Sequence, residues 1–229
     1  MARAHRRLII TLDGPAGCGK STAALGLARA LGYLYLDTGA MYRALAWKSV
    51  QAGLAPTDAR RLGSLARRTR IDLRVDPGRT VRVLVDGREV TPAIRTAAIA
   101  ARASEIAVIP AVRRAMVAQQ QRLGRHGRVV AEGRDTGTVV FPDAPWKFYL
   151  TACPATRARR RQRDLQRAGQ CLSYAEVLRQ VRERDRRDMT RAASPLRRAR
   201  GAVVVETTRR MPRHTLAYLL KCLKHHPVR

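Results

Sequence analysis

An α/β fold built on a five-stranded parallel sheet is what the sequence predicts, and three features predict it. Five short apolar runs are separated by segments of helix length. Several of these runs are apolar almost throughout, as in strands buried on both faces of a parallel sheet. The first run leads straight into a glycine-rich turn and then a helix. The strands in order are "LIITL" at 8–12, "YLYL" at 33–36, "VVAE" at 129–132, "WKFYL" at 146–150 and "AVVVE" at 202–206. Flanking helices are expected over residues 20–31, 96–109, 111–123, 155–168 and 173–191, with a last one from Pro212. Gly32 supplies a C-terminal cap for the first of them. Residues 71–90 break the rhythm, alternating apolar and polar with turn signals at Asp76-Pro77-Gly78 and Asp86-Gly87, which predicts a small antiparallel insertion.

The length of 229 residues fits one domain carrying small insertions. No apolar run approaches the roughly 20 residues of a membrane span. Asp13 ends the first apolar run too early for a signal peptide. Cys18, Cys153, Cys171 and Cys222 are scattered without a CxxC pair, so neither disulfides nor zinc are expected and a reducing cytoplasm is. The 46 basic against 17 acidic residues, net +29, would attract any polyanion in a salt-dependent way. Only five of the 46 are lysines, and the charges run the whole length without a basic tail. With aromatics at 4%, a base-stacking platform is not expected. Weak, salt-sensitive nucleic-acid binding is therefore the most the charge implies.

"GPAGCGKS" at 14–21 satisfies G-x-x-x-x-G-K-[ST] directly after a strand and before a helix, the context that gives the pattern its meaning. Gly14, Pro15, Ala16, Gly17, Cys18, Gly19, Lys20, Ser21 and Thr22 form the expected triphosphate cradle of a P-loop NTPase-type fold. Backbone N–H groups converge on phosphate oxygens, and the helix N-terminus adds a favourable dipole. Lys20 reaches the β- and γ-phosphates, and Ser21 holds Mg²⁺ through its hydroxyl. Cys18, beside Lys20 and the helix N-terminus, is expected to carry an acidified, ATP-protected thiol, with an inert packing residue as the alternative.

Ligands of open α/β sheets bind beyond the carboxyl ends of the strands. There the second strand runs into Asp37 to Arg43, and the third into Glu132-Gly133-Arg134-Asp135. Each places an acid and an arginine near a bound anion. Ser173-Tyr174-Ala175-Glu176 is a capping box. The core-facing stripe it starts, Val177 and Val181, continues through Arg184, Asp188 and Arg191, so the stripe turns charged where it should stay apolar. That aims two arginines and a carboxylate into a cleft, while a local i,i+4 ion pair worth a few tenths of a kcal/mol is the alternative. Arg182, Arg186 and Arg187 are expected to be solvated. Arg113, in the first turn after Pro110, opposes the helix dipole unless a bound group compensates.

These residues resemble the bacterial cytidylate kinase family over about residues 7–222. The resemblance is carried by "ITLDGPAGCGKST", "LDTGAMYRALAW", "AIRT", "AEGRDTGTVVFPDAPWKFYLTA" and "RERDRRDMTRAASPL". It implies a nucleoside-monophosphate-binding insertion at about 60–98 and a short helical lid at about 155–172. It further implies ATP with Mg²⁺, CMP or dCMP as acceptor, and a cytoplasmic monomer serving pyrimidine nucleotide metabolism. By motif match, Arg43, Arg134 and Arg191 hold the CMP phosphate, Thr38, Arg184 and Asp188 contact the sugar, and Ser104, Arg113 and Asp135 read the cytosine edge. Arg157, Arg160 and Arg161 approach the triphosphate from the lid, with Lys20, Arg157 and Arg161 catalytic. Cys18 stands where the family commonly has Ala or Ser, and "AIRT" lacks the family's acid before Ile. Another small-molecule P-loop kinase, such as a UMP/CMP kinase, is the nearer alternative. A nucleic-acid-binding GTPase is the farther one, and the N-K-x-D motif it needs is absent.

Overall fold

Five strands pair in parallel in a computed structural model that describes residues 8–75, 81–167 and 169–225. They are β1 (Ile9–Asp13), β2 (Leu34–Asp37), β6 (Val129–Gly133), β7 (Trp146–Thr151) and β8 (Val203–Glu206), in the order β2–β6–β1–β7–β8. All five predicted strands are present. Asp13 lies opposite Gly133, and Asp37 opposite Glu132, so acids near the carboxyl ends of three neighbouring strands come together at one end of the sheet. β1 and β6 are buried at every position, which accounts for their unbroken apolar character.

The pleat divides the core in two. Ile9, Leu36, Val129 and Ala131 pack on one face with α2 (Thr38–Gln51), α3 (Ala59–Arg68), α4 (Ala97–Ile106) and α5 (Pro110–Gly124). Ile10, Leu12, Tyr35, Val130, Phe148 and Leu150 pack on the other with α1 (Lys20–Leu31) and α8 (Pro212–His225). A third, small cluster of Ala158, Leu165, Val177 and Val181 joins only α6 (Pro154–Arg167) and α7 (Tyr174–Thr190).

The predicted insertion is an antiparallel sheet of β3 (Ile71–Val75), β4 (Val81–Val85) and β5 (Arg88–Glu89). Asp86 and Gly87 both have positive φ, 49° and 85°, as a type I′ hairpin turn demands. The turn expected at Asp76-Pro77-Gly78 lies outside the described residues. Leu73, Val83 and Val85 belong to the same core as α2 and β6.

Two helices were not anticipated by the pattern of the sequence. α2 starts where Asp37 caps it, accepting from the Ala40 N–H at 2.7 Å. α3 starts where Asp58 accepts from the Arg61 N–H at 3.0 Å. The helix expected over 96–109 ends at Ile106, and Pro110 opens α5.

Candidate active site

The cradle after β1 owes its shape to glycine. Gly14, Gly17 and Gly19 have φ of 154°, 76° and 86°. A Cβ on Gly14 would stand 2.1 Å from the Leu150 carbonyl oxygen, so only glycine fits between the ends of β1 and β7. Gly19 occupies the N-cap of α1, with no side chain capping the helix and no acid in its first turn. The first N–H groups of α1 are left for an anion. Gly17, Gly19, Ser21 and Thr22 are exposed, Ala16 is half-buried, and Gly14 and Pro15 are buried beneath.

Lys20 is buried, and its Nζ donates to the loop's own Pro15 carbonyl at 3.2 Å. Burial, reinforced by the charge of Arg134, lowers its pKa. Ser21 Oγ donates to Glu132 Oε2 at 2.9 Å, and the Tyr35 hydroxyl donates to Glu132 Oε1. Burial, with Asp37 second, raises the Glu132 pKa. Asp13 accepts from the Thr136 N–H, the Thr136 hydroxyl and the Gly137 N–H, each at 2.8 Å. It thereby ties β1 to the π-helical turn Thr136–Val140 that follows β6. Cys18 has no exposed surface and packs with Ala24 and Leu27 in the α1 core. The expectation of a reactive thiol is corrected: no reagent can reach it without opening the loop.

Opposite the cradle, the predicted acceptor residues converge from five segments. Thr38 is buried at the start of α2, its hydroxyl donating to the Glu132 carbonyl at 2.7 Å. Arg43 pairs with Asp37 at 3.1 Å. Arg134 Nε donates to Asp188 Oδ2 at 2.7 Å. Burial opposes the Arg134 charge most strongly, but Asp188 with Cys18 and Glu132 together raise its pKa; Asp188 is held low by Arg134 and Arg184 against its own desolvation. Arg113 is buried, donates to Asp135 and to the Ala107 carbonyl, and lies 5.5 Å over the Tyr42 ring. That answers its awkward place in the first turn of α5, since Asp135 and the ring compensate the helix dipole. Arg191 donates to the Ser194 carbonyl at 2.7 Å and stands 3.8 Å from Asp135 and 3.9 Å from Asp188.

Several donors remain unused. Arg184 Nε, Arg191 Nη2 and Arg113 Nε are buried without a hydrogen-bond partner. Burial lowers the Arg184 pKa to about 10, and Arg134, Arg161 and Arg43 push it the same way. Arginines from α2, the turn after β6, α6 and α7 thus surround one place, an arrangement suited to a multiply charged anion.

The second half of α7 departs from expectation at two residues. Arg187 is not merely solvated: Nη1 donates to Ser104 Oγ at 3.1 Å and Nη2 to Glu183 at 3.2 Å. Arg182 and Arg186 are exposed as predicted. The lid arginines also separate. Arg161 is exposed and its charge is felt by Arg184. Arg160 donates to the Gly17 carbonyl at 3.3 Å and to the Thr207 carbonyl at 2.6 Å, at the rim of the cradle. Arg157 is buried and paired with Asp185 at 2.6 and 2.9 Å. Four of its five N–H groups reach protein acceptors, so in this arrangement it faces Asp185 and the carbonyls of Ala16 and Ala152. Asp37 and Glu132 were expected at the strand ends beside a bound anion but were given no role of their own, and Asp13, Asp185 and Arg187 were given no place in the site.

A family model for cytidylate kinase matches residues 10–225. The chain is 46% identical over 197 residues to the cytidylate kinase of Pelotomaculum thermopropionicum, covering 86% of this chain and 87% of that one. It is 49% identical over 206 residues to the bifunctional pantoate ligase/cytidylate kinase of Synechococcus elongatus, covering 88% of this chain. A similar bifunctional protein of Gloeobacter violaceus is 48% identical over 221 residues, covering 94% of this chain. The chain spans 39% and 42% of the lengths of those two bifunctional relatives. A solved structure from Thermus thermophilus aligns with a TM-score of 0.45 at 26% identity, covering 96% of this chain and 97% of its own. Sheet order, glycine cradle and arginine-lined cleft accord with the sequence relationship, and the chain belongs to the cytidylate kinase family.

Proposed function

We propose that the protein transfers the γ-phosphoryl group of ATP to the 5′-phosphate of CMP or dCMP, as a (d)CMP kinase of pyrimidine nucleotide metabolism. The observation that carries this reading is the buried, unpartnered Arg184 Nε amid Arg43, Arg134 and Arg161, beside an uncapped helix N-terminus. One anion belongs on the backbone cradle and a second among the guanidinium groups.

Gly14 to Thr22 bind the triphosphate, and Lys20 turns from Pro15 to the β- and γ-phosphates. Arg161, exposed and close to Arg184, serves the transferring phosphoryl group, while Arg160 closes the rim. Arg43, Arg134 and Arg191 hold the acceptor phosphate, with Thr38, Arg184 and Asp188 at the sugar. Arg184 also faces the phosphate, as the charges around it suggest. Phosphoryl transfer asks for positioning and charge stabilisation rather than proton shuttling. The residues fit Mg²⁺: the Ser21 hydroxyl, backed by Glu132 at 2.9 Å, offers hard oxygen donors. No cluster of three or more His, Cys, Asp or Glu able to hold a metal occurs among the described residues, which suits an ion completed by phosphate oxygens. When bound with ATP, that ion would neutralise charge on the β- and γ-phosphates.

Arg113 and Asp135 offer a donor beside an acceptor, the complement of the ring nitrogen and amino group of cytosine. Uracil reverses both partners. CMP and dCMP should therefore exceed UMP and AMP in kcat/KM by about a hundredfold or more, since a mismatched base leaves buried polar groups unpaired. A panel of nucleoside monophosphates in a coupled ADP assay tests this, and equal rates with AMP overturn it. Among the described residues no helix is long and apolar enough to cross a membrane. The free thiols of Cys18, Cys153, Cys171 and Cys222 suit the cytoplasm proposed for it.

A further inference from the structure

We infer that Arg157 and Asp185 form a latch coupling the triphosphate loop to the acceptor helix, so that filling one site prepares the other. Arg157 donates from Nη1 and Nη2 to the two oxygens of Asp185, from Nε to the Ala152 carbonyl at 2.9 Å, and from Nη1 to the Ala16 carbonyl at 3.2 Å. One guanidinium thus ties the end of β7, the middle of the phosphate loop and α7. The approach to the loop is close: a Cβ on Gly17 would meet the Arg157 Cβ at 3.1 Å. Asp185 follows Arg184 directly and precedes Asp188 by one turn, so any rotation of α7 that moves the pair moves both pocket residues.

Two further facts make this ion pair a coupling device rather than general support. The α6–α7 hairpin has its own small apolar cluster, separate from both faces of the sheet. Its attachment to the body at this end therefore depends on directional polar contacts. On the acceptor side the contacts are Asp188 with Arg134 and Arg187 with Ser104. α7 is held between one ion pair that senses the triphosphate loop and one that senses the acceptor pocket. Arg157 and Asp185 act here as positioning residues, through the loop carbonyl of Ala16 on one side and α7 on the other.

The inference rests on the kinase reading, and equilibrium binding separates the two. Calorimetry measures CMP affinity with and without a non-hydrolysable ATP analogue and Mg²⁺. In the wild-type protein the analogue should tighten CMP about tenfold, within the usual range of coupling between sites. Asp185→Asn keeps the side-chain shape and should reduce that factor below about twofold, with each ligand's separate affinity changed less than about threefold. A merely structural pair would lower the melting temperature and leave the ratio intact, which overturns the latch. Wild-type protein that binds neither nucleotide overturns the kinase reading instead. A measurement on wild-type protein guards against variants that fail to fold. The ATP analogue alone should slow amide exchange in residues 181–190, and unchanged exchange there overturns the latch.

Discussion

The donor and acceptor halves of the cleft are built in opposite ways. The phosphate loop is contiguous, and its ligands are backbone N–H groups whose directions are set by glycine dihedrals and a helix start. The proposed acceptor pocket is assembled from α2, α4, α5, the turn after β6, and α7. Its ligands are side chains held by the pairs Arg113–Asp135, Arg134–Asp188 and Arg43–Asp37. A backbone site fails when the chain cannot take its shape. A side-chain site fails one charge at a time. Mutations should therefore act all-or-none on one side and by degrees on the other.

The largest effect is expected at Gly14. An alanine Cβ would overlap the Leu150 carbonyl at 2.1 Å, and φ of 154° is open only to glycine. Gly14→Ala should abolish measurable binding of an ATP analogue, or reduce it at least about a hundredfold, a loss of some 2.7 kcal/mol or more. Gly32→Ala is the control, since φ there is 65° with nothing within 4 Å of the new Cβ. It should cost about 1–2 kcal/mol of stability from left-handed strain and leave catalysis intact. Normal ATP affinity in Gly14→Ala would show that the cradle can rearrange, and the contrast between the halves would collapse.

Graded effects are expected along α7. A charge-assisted hydrogen bond contributes about 1.5–3 kcal/mol. Asp188→Ala should thus lower kcat/KM for CMP about ten- to a hundredfold while ATP-analogue affinity stays near normal. Arg187→Ala should cost less, about five- to tenfold, and fall mainly on discrimination between CMP and UMP, because it holds the Ser104 hydroxyl. Arg186→Ala, exposed and away from the cleft, should be silent. Steady-state kinetics on both monophosphates, with melting temperatures for each variant, checks the series. Equal small effects at all three positions would mean that this half of α7 is only a charged surface.

The same contrast explains what could be seen in the sequence. The cradle was legible in full because a short motif carries it. The sheet was legible because strands buried on both faces leave unbroken apolar runs. α2 was missed because it is enclosed between the parallel sheet and the antiparallel insertion. Ala40, Met41, Ala44, Leu45 and Ala46 bury it around most of its circumference, without an amphipathic signature. α3 was missed for the reverse reason, with four arginines among its ten residues and only Leu62, Gly63 and Ala66 buried. The acceptor side chains were visible only as charges continuing an apolar stripe, and the stripe misplaced Arg187. At about 100° per residue, Arg187 lies some 60° from Arg184 and 40° from Arg191, on the flank of the stripe, whereas Arg186 is the residue far from it. Pairs such as Arg157–Asp185 and Tyr35–Glu132 depend on how distant segments meet, and no local pattern announces them.

The smallest effect sharpens the comparison most, because it should run against intuition. Arg184 keeps a buried guanidinium charged among like charges, with its pKa lowered to about 10 from an unfolded value of 12.5. For a base with a depressed pKa, the unfolded chain binds more protons between those values, so stability rises with pH across that interval. Below it, the charged group is a standing cost to the folded protein. Arg184→Met keeps much of the aliphatic bulk and removes that cost. In phosphate-free buffer near neutral pH it should melt higher than wild type by a few degrees, as about 1 kcal/mol moves a domain of this size by roughly 2–4 °C. Added CMP should raise the wild-type melting temperature and raise that of Arg184→Met much less, since the anion that repays the charge has lost a partner. No equivalent substitution exists in the phosphate loop, where the binding groups are backbone and their strain cannot be removed one side chain at a time. If Arg184→Met melts lower than wild type without ligand and still gains the full shift from CMP, the guanidinium is an ordinary structural group. The acceptor half would then be no more strained than the rest of the surface.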